Sequence, residues 1–71
     1  MRRNGPPLYG AKYCGNKNPS NMEVHDLDNE KRQCQINGII LAGHAVPFNT
    51  LQEAHNRRFD NCAYCIGGST R

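Results

Sequence analysis

The sequence predicts a small α+β domain, in which a short antiparallel β-hairpin precedes two short helices and the fold needs a stabiliser beyond its hydrophobic core. The chain has 71 residues, of which 37% are hydrophobic, and it contains no Trp. A domain of this size buries only about 60% of the surface that its unfolded chain exposes. A metal ion, disulfides or a partner must therefore add to the stability.

The hairpin is predicted by two short strand-like segments on either side of a turn. Residues 8–14 carry Tyr9 and Tyr13, which favour a strand, and residues 15–21 are rich in Gly, Asn, Pro and Ser. Residues 22–25 then alternate between apolar and polar side chains. We expect the second strand to run antiparallel to the first, with His25 at its exit.

The first helix is predicted from the spacing of isoleucines. Ile36, Ile39 and Ile40 recur at the i, i+3, i+4 positions of one buried helical face. Asp28 or Asn29 is a suitable N-cap residue, and Gly43 is expected to end the helix.

A second helix is predicted after a short extended segment. Residues 44–48 contain Pro47, which fits a connector or an edge strand but not a helix interior. Thr50 and Glu53 then match the capping-box pattern, and Leu51 and Ala54 continue a helix. The predicted organisation is a flexible basic arm at residues 1–7, a single domain at 8–67 and a flexible tail at 68–71.

Four cysteines favour a metal site over disulfides. The N-terminal segment has no apolar run resembling a secretory leader, and no stretch approaches the roughly 20 apolar residues needed to cross a membrane. We therefore expect a cytoplasmic protein, or one of the host cytoplasm if a bacteriophage encodes it. In such a reducing compartment clustered cysteines are more often metal ligands than bridges.

The cysteine pair Cys62 and Cys65 has the C-x2-C spacing at which two thiolates bind one zinc ion, about 2.3 Å away. The same spacing occurs in redox dithiols, but those lie at a helix N-terminus in a βαβ setting. A structural zinc site needs four ligands. The spacing alone leaves the other two open among these candidates: Cys14, Cys34, His25, His44 and His55.

The order of several motifs resembles that of the Ada-like metal-binding domains, the family of the zinc domain of the Ada DNA-repair protein and of small modules attached to nucleases. The resemblance spans about residues 13–67. It rests on these segments: Tyr13-x-Gly15-Asn16-Lys17-Asn18, His25, Cys34, Val46-x-Phe48-Asn49-x-Leu51-x-Glu53-Ala54 and Phe59-x-x-Cys62-x-x-Cys65.

The resemblance implies an Ada-like fold and one structural Zn²⁺ per chain, held by His25, Cys34, Cys62 and Cys65. Cys14 replacing His25, which gives an all-cysteine site, is the alternative. Because four protein ligands leave no open position on the metal, we expect no catalysis. The family's repair members also use a C-x3-C pair that this chain lacks.

Two kinds of partner remain, another protein or a nucleic acid, while neither a membrane nor a small-molecule substrate is indicated. The net charge is +3, with nine Lys and Arg against six Asp and Glu. Nucleic-acid binding is the alternative function, through phosphate contacts from the basic residues. The leading hypothesis is a protein-interaction or regulatory accessory module of the small zinc-finger type, as bacteriophages and mobile elements encode.

Overall fold

A computed structural model describes residues 1–68 and contains a four-stranded sheet with two short helices. Two 3₁₀ turns, Leu27–Asn29 and Arg32–Cys34, lie between the second strand and the first helix. The strands and helices are β1 (Tyr13–Asn16), β2 (Glu23–Asp26), α1 (Ile36–Leu41), β3 (Ala45–Phe48), α2 (Leu51–Asn56) and β4 (Asp60–Asn61).

The sheet has the strand order β3-β1-β2-β4. The predicted antiparallel hairpin is confirmed as β1 and β2, in which Cys14 lies opposite His25. Two further strands extend this hairpin, since β3 pairs antiparallel with β1 and β4 pairs parallel with β2. β3 is the edge strand that Pro47 permits.

The first strand begins later than predicted, at Tyr13. Residues 5–10 form turns instead, and Tyr9 and Gly10 have φ angles of 49° and 79°. A strand cannot pass through two consecutive residues with left-handed backbone. The apolar side chain of Leu8 is nevertheless 1% exposed, so this turn segment contributes to the core.

Successive residues of a strand point to opposite faces of the sheet, and both faces are covered here. The site face carries Cys14 and His25 and packs against α1 and the 3₁₀ turns. The aromatic face carries Val24 and Phe48 and packs against α2. The sheet is therefore the middle layer, and the two helices lie on opposite sides of it.

The two helices differ in how they begin. α2 begins as predicted: the Thr50 hydroxyl accepts a hydrogen bond from the Glu53 amide, and the Glu53 carboxylate accepts one from the Thr50 amide. α1 begins at Ile36, so the prediction that Asp28 or Asn29 caps it is wrong. The chain instead forms the two 3₁₀ turns between these residues and α1.

The predicted end of α1 is confirmed. The helix stops at Leu41, and Gly43 follows with a φ of 76°, a conformation that glycine adopts without steric cost. The Gly43 amide donates to the Ile40 carbonyl, 3.0 Å away.

The N-terminal residues lie against the segment that follows β2. Arg2 is paired with Asp28 at 2.9 Å, and Arg3 donates to both carboxylate oxygens of Glu30. The division into arm, domain and tail stays a prediction, and residues 69–71 of the predicted tail lie outside the described residues. Within residues 1–68, no helix has the length and apolar character required to cross a membrane.

Candidate metal centre

The structure brings together four side chains that could hold one metal ion. The ligand atoms of His25, Cys34, Cys62 and Cys65 all lie within 4.8 Å of one another. These are the four positions that the resemblance implies. They come from β2, from the second 3₁₀ turn and from the segment after β4, so a shared ion would connect three distant parts of the chain.

The distances between these atoms fit tetrahedral coordination. The Cys34 and Cys62 sulfurs are 3.9 Å apart, and the Cys65 sulfur is 3.9 Å from Nδ1 of His25. Four ligands at about 2.0–2.3 Å from a zinc ion are separated from each other by roughly 3.5–3.8 Å. These two separations exceed the zinc values only slightly, and every pair of ligand atoms in the cluster lies within 4.8 Å.

The parallel pairing of β2 with β4 brings Cys62 next to His25. Val24 lies opposite Asn61, and the Cys62 amide donates to the Val24 carbonyl at 3.0 Å. The amides of Ile66 and Gly67 then donate to the Cys62 carbonyl. These bonds close a compact loop around the C-x2-C pair, and they return Cys65 to the same side as Cys62.

Cys34 is placed by the second 3₁₀ turn. Its amide donates to the Lys31 carbonyl at 3.0 Å, and Gln35 follows in the left-handed conformation with φ 52° and ψ 47°. This residue reverses the chain direction between the turn and α1. Only 4% of Cys34 stays exposed, and its sulfur faces that of Cys62.

All four candidate ligands are buried, and burial shifts the pKa of three of them. Burial raises the pKa of the Cys34 and Cys65 thiols and lowers the pKa of the His25 imidazole. A neutral imidazole is ready to bind a metal, whereas the thiols ionise when a cation offsets their charge. The donor set suits zinc, which prefers thiolate and imidazole ligands in closed, buried sites.

Neighbouring polar groups support the ligand loop. The Asp26 amide donates to the Cys65 sulfur at 3.2 Å, and the Asn29 side chain donates to the Cys65 carbonyl at 2.7 Å. Asn61 contacts Nε2 of His55 at 2.6 Å through its side-chain oxygen and donates to the Gly67 carbonyl. Such contacts fix the orientation of metal ligands.

These supporting residues were missed by the sequence reasoning. Asn61 directly precedes the cysteine pair, but adjacency does not reveal that its side chain reaches Gly67. Asn29 lies 36 positions before Cys65. No local pattern records such a long-range contact.

The remaining candidate ligands lie outside the cluster. His55 contacts Asn61 instead, and His44 lines the same groove as three of the ligands without joining the cluster. Cys14 is opposite His25 in the sheet and fully buried, but its sulfur is not one of the four close atoms. Burial raises the pKa of this thiol to about 11, so Cys14 packs as a small neutral side chain.

All four cysteines are free thiols, which agrees with a metal site rather than with disulfides. Comparisons of the chain with protein-family models, with curated proteins and with solved structures gave no match. The Ada-like resemblance therefore stays a prediction from the motifs.

Proposed function

We propose that this chain is a zinc-stabilised interaction module without catalytic activity, which acts by binding another protein. The observation that carries this proposal is the buried cluster of one imidazole and three thiols. A site with four protein ligands has no open position for a reactive water or a substrate. Zinc in it stabilises the fold, and the surface around it performs the function.

The metal assignment is tested by elemental analysis of the purified protein. We expect one zinc per chain, lost in Cys34→Ser and in Cys62→Ser. Cys14→Ala is the matched control, because it removes a buried thiol outside the cluster and should keep the metal. Loss of zinc in Cys14→Ala with retention in His25→Ala would instead support the all-cysteine site.

A protein partner is favoured over nucleic acid by how the basic residues are used. Arg2, Arg3 and Lys12 are each within ion-pair distance of an acidic side chain of the same molecule. Phosphate contacts would have to displace Asp28, Glu30 and Asp26 from these positions. Intramolecular neutralisation thus lowers the positive potential that nonspecific nucleic-acid binding needs.

Nucleic-acid binding remains the second candidate, because other basic residues are not paired. Within residues 1–68, the following have no acidic partner: Lys17, Lys31, Arg32, Arg57 and Arg58. Arg57 also lies over the Phe48 ring, 5.8 Å from its centroid. These residues would supply backbone contacts, without a recognition helix to read bases.

Fluorescence anisotropy with a labelled DNA duplex separates the two candidates. For a protein-binding module we expect no saturable binding in 50 mM salt. Binding that is tight in 50 mM salt, falls steeply by 200 mM salt, and weakens in the double variant Arg57→Ser/Arg58→Ser would support the nucleic-acid function instead.

The proposed identity extends to the family and the source. The order of the ligands and of the motifs around them supports an Ada-like module, and small zinc-stabilised domains are typical of accessory proteins of bacteriophages. The same elemental analysis bears on the first of these, since an Ada-like module of this ligand set requires His25.

A further inference from the structure

A groove of about 350 Å³ lies directly beside the candidate metal centre, and we call it the amide groove. Its lining includes the ligand residues His25, Cys34 and Cys62. Five carboxamide side chains line it: Asn16, Asn18, Asn21, Gln33 and Gln35. The volume is at the lower end of the range for ligand sites.

Most of the hydrogen-bonding capacity of these carboxamides is unused within the molecule. The side-chain oxygens of Asn16 and Asn18 accept from backbone amides of the turn before β2, which leaves their NH₂ groups available. Among residues 1–68, the side chains of Asn21, Gln33 and Gln35 have no hydrogen-bond partner. Neutral groups that both donate and accept are therefore concentrated in one concave surface.

The charge of the groove selects against polyanions. Of the lining residues that belong to the described part of the chain, Glu23 is the only Asp, Glu, Lys or Arg. Three thiolates around one divalent cation would add a net negative charge beside the groove. A phosphate-bearing ligand would be repelled here, whereas a Lys or Arg side chain would be attracted.

One aromatic side chain completes the groove. Tyr64 lies in the loop between Cys62 and Cys65, lines the groove and is 60% exposed. Exposed tyrosines next to polar groups are enriched at protein interfaces, because they offer contact area at a low entropic cost. A ligand lying along the carboxamides would also reach this ring.

We propose that the amide groove binds a basic peptide segment of a partner protein in an extended conformation. The carboxamides pair with main-chain N–H and C=O groups of the peptide, Glu23 pairs with a Lys or Arg side chain, and Tyr64 packs against an apolar side chain. This inference rests on the proposed function, since it names the surface and the partner class of that interaction module.

The experiment is a selection of random peptides displayed on phage, using the metal-loaded protein as bait. Selected peptides are then synthesised and titrated into the protein, with the dissociation constant measured by fluorescence anisotropy. We expect the selected sequences to be enriched in Lys and Arg. Binding should weaken by roughly tenfold in Glu23→Gln and in Tyr64→Ala.

A third variant separates binding from folding. Gln35 has a φ of 52°, a left-handed conformation that glycine adopts at a lower steric cost than Gln. Gln35→Gly therefore removes a groove carboxamide while relieving backbone strain. We expect a thermal midpoint no lower than that of the parent, together with weaker peptide binding. Gln52→Ala, on α2 at the opposite side of the sheet, is the control that should leave binding unchanged.

The possible results of this experiment distinguish failure of the groove as a peptide site from failure of the proposed function. Peptides that bind equally to the parent and to all three groove variants would show that the groove is not the binding site. The proposal that the protein is an interaction module would stand. If no peptide is selected, the groove is not a peptide site. A single-stranded oligonucleotide whose binding is weakened by the Tyr64→Ala change would overturn both proposals.

Discussion

The two faces of the sheet are stabilised in different ways. The aromatic face is an ordinary hydrocarbon core, where Phe48 and Phe59 meet edge to face with ring centroids 5.1 Å apart. The site face mixes apolar side chains with all four cysteines. Apolar packing therefore accounts for the aromatic face, whereas the site face carries a candidate metal site at which a bound ion would add to the stability of so small a domain.

The helices on the two faces repeat this contrast. α2, on the aromatic face, begins with a complete capping box that is formed within four consecutive residues. α1, on the site face, begins after Gln35 with no side-chain cap. We infer that α2 is favoured by its own sequence, whereas α1 depends on Cys34 being held in the cluster.

The largest effect should come from removing the metal. Structural zinc contributes about 10–16 kcal/mol of apparent binding free energy in small domains, as much as the whole stability of a typical native protein. A strong chelator should therefore unfold the chain, as seen by loss of chemical-shift dispersion in NMR spectra. A chain that keeps a dispersed spectrum without metal would show that the aromatic face is sufficient by itself.

The second largest effect should come from a substitution that tests the close packing of the aromatic face. A Cβ atom on Gly15 would lie 2.6 Å from the Phe48 ring and 2.8 Å from the Phe59 ring. Because both rings are buried, Gly15→Ala should lower the free energy of unfolding by about 1–3 kcal/mol in urea titrations of the metal-loaded protein.

Gly38→Ala is the matched control for this substitution. Gly38 lies inside α1, and its added Cβ would have no atom within 4 Å. Alanine there should stabilise the protein by about 0.5–1 kcal/mol through higher helix propensity. Equal effects of the two substitutions would contradict close packing of the rings against β1.

A smaller effect tests the local origin of α2. Thr50→Ala removes the hydroxyl that accepts from the Glu53 amide, 3.2 Å away, and should cost about 1 kcal/mol. Thr50→Ser keeps the acceptor and should cost much less. The difference between the two variants, measured by thermal unfolding, reports the capping bond rather than side-chain size.

The smallest effect concerns an ion pair beside the site face. Hydrogen bonding from Arg3, together with the Met1 amino group, lowers the pKa of Glu30 to about 2 from 4.5. A carboxylate whose pKa is lower in the folded state stabilises the fold above its unfolded pKa, and this contribution is lost as the pH falls towards the folded value. Because the pair is partly exposed, Glu30→Gln should cost about 0.5–1 kcal/mol at pH 7.

The pH dependence of that cost is the diagnostic measurement. The difference in unfolding free energy between parent and Glu30→Gln should be constant from pH 7 to about pH 5 and should shrink below pH 4.5. Both proteins contain the same candidate metal ligands, and among these the His25 imidazole, whose pKa is lowered by burial, also senses the Glu30 charge, which acts to raise that pKa. A difference that already shrinks near pH 6 would contradict the ion pair.

Local patterns predicted those parts of the fold that local interactions stabilise. The hairpin, the end of α1 at Gly43 and the capping box of α2 each depend on residues within a few positions of one another. The start of α1 was predicted wrongly, because the segment after β2 is held by contacts with the N-terminal residues rather than by its own helix propensity. β4 is too short to produce an alternating pattern and was missed.

For the candidate site too, local spacing predicted some residues and long-range contacts determined the others. The C-x2-C pair was evident from its spacing, while the spacing alone left the other two ligands open. The order of motifs implied His25 and Cys34, and the structure brings these two close to the pair. Asn29 and Asn61 could not be found from the sequence, because their partners lie far away along the chain or depend on the backbone of a loop.

The sequence by itself determined that a small, cysteine-containing α+β chain needs a further stabiliser, since composition limits the apolar surface that folding can bury. The tertiary structure decided that His25 rather than Cys14 lies with the three cysteines, although the two are cross-strand neighbours. It also decided that five carboxamides line one groove. Both outcomes depend on the parallel pairing of β2 with β4 and on the chain reversal at Gln35, which are long-range features that no short sequence pattern encodes.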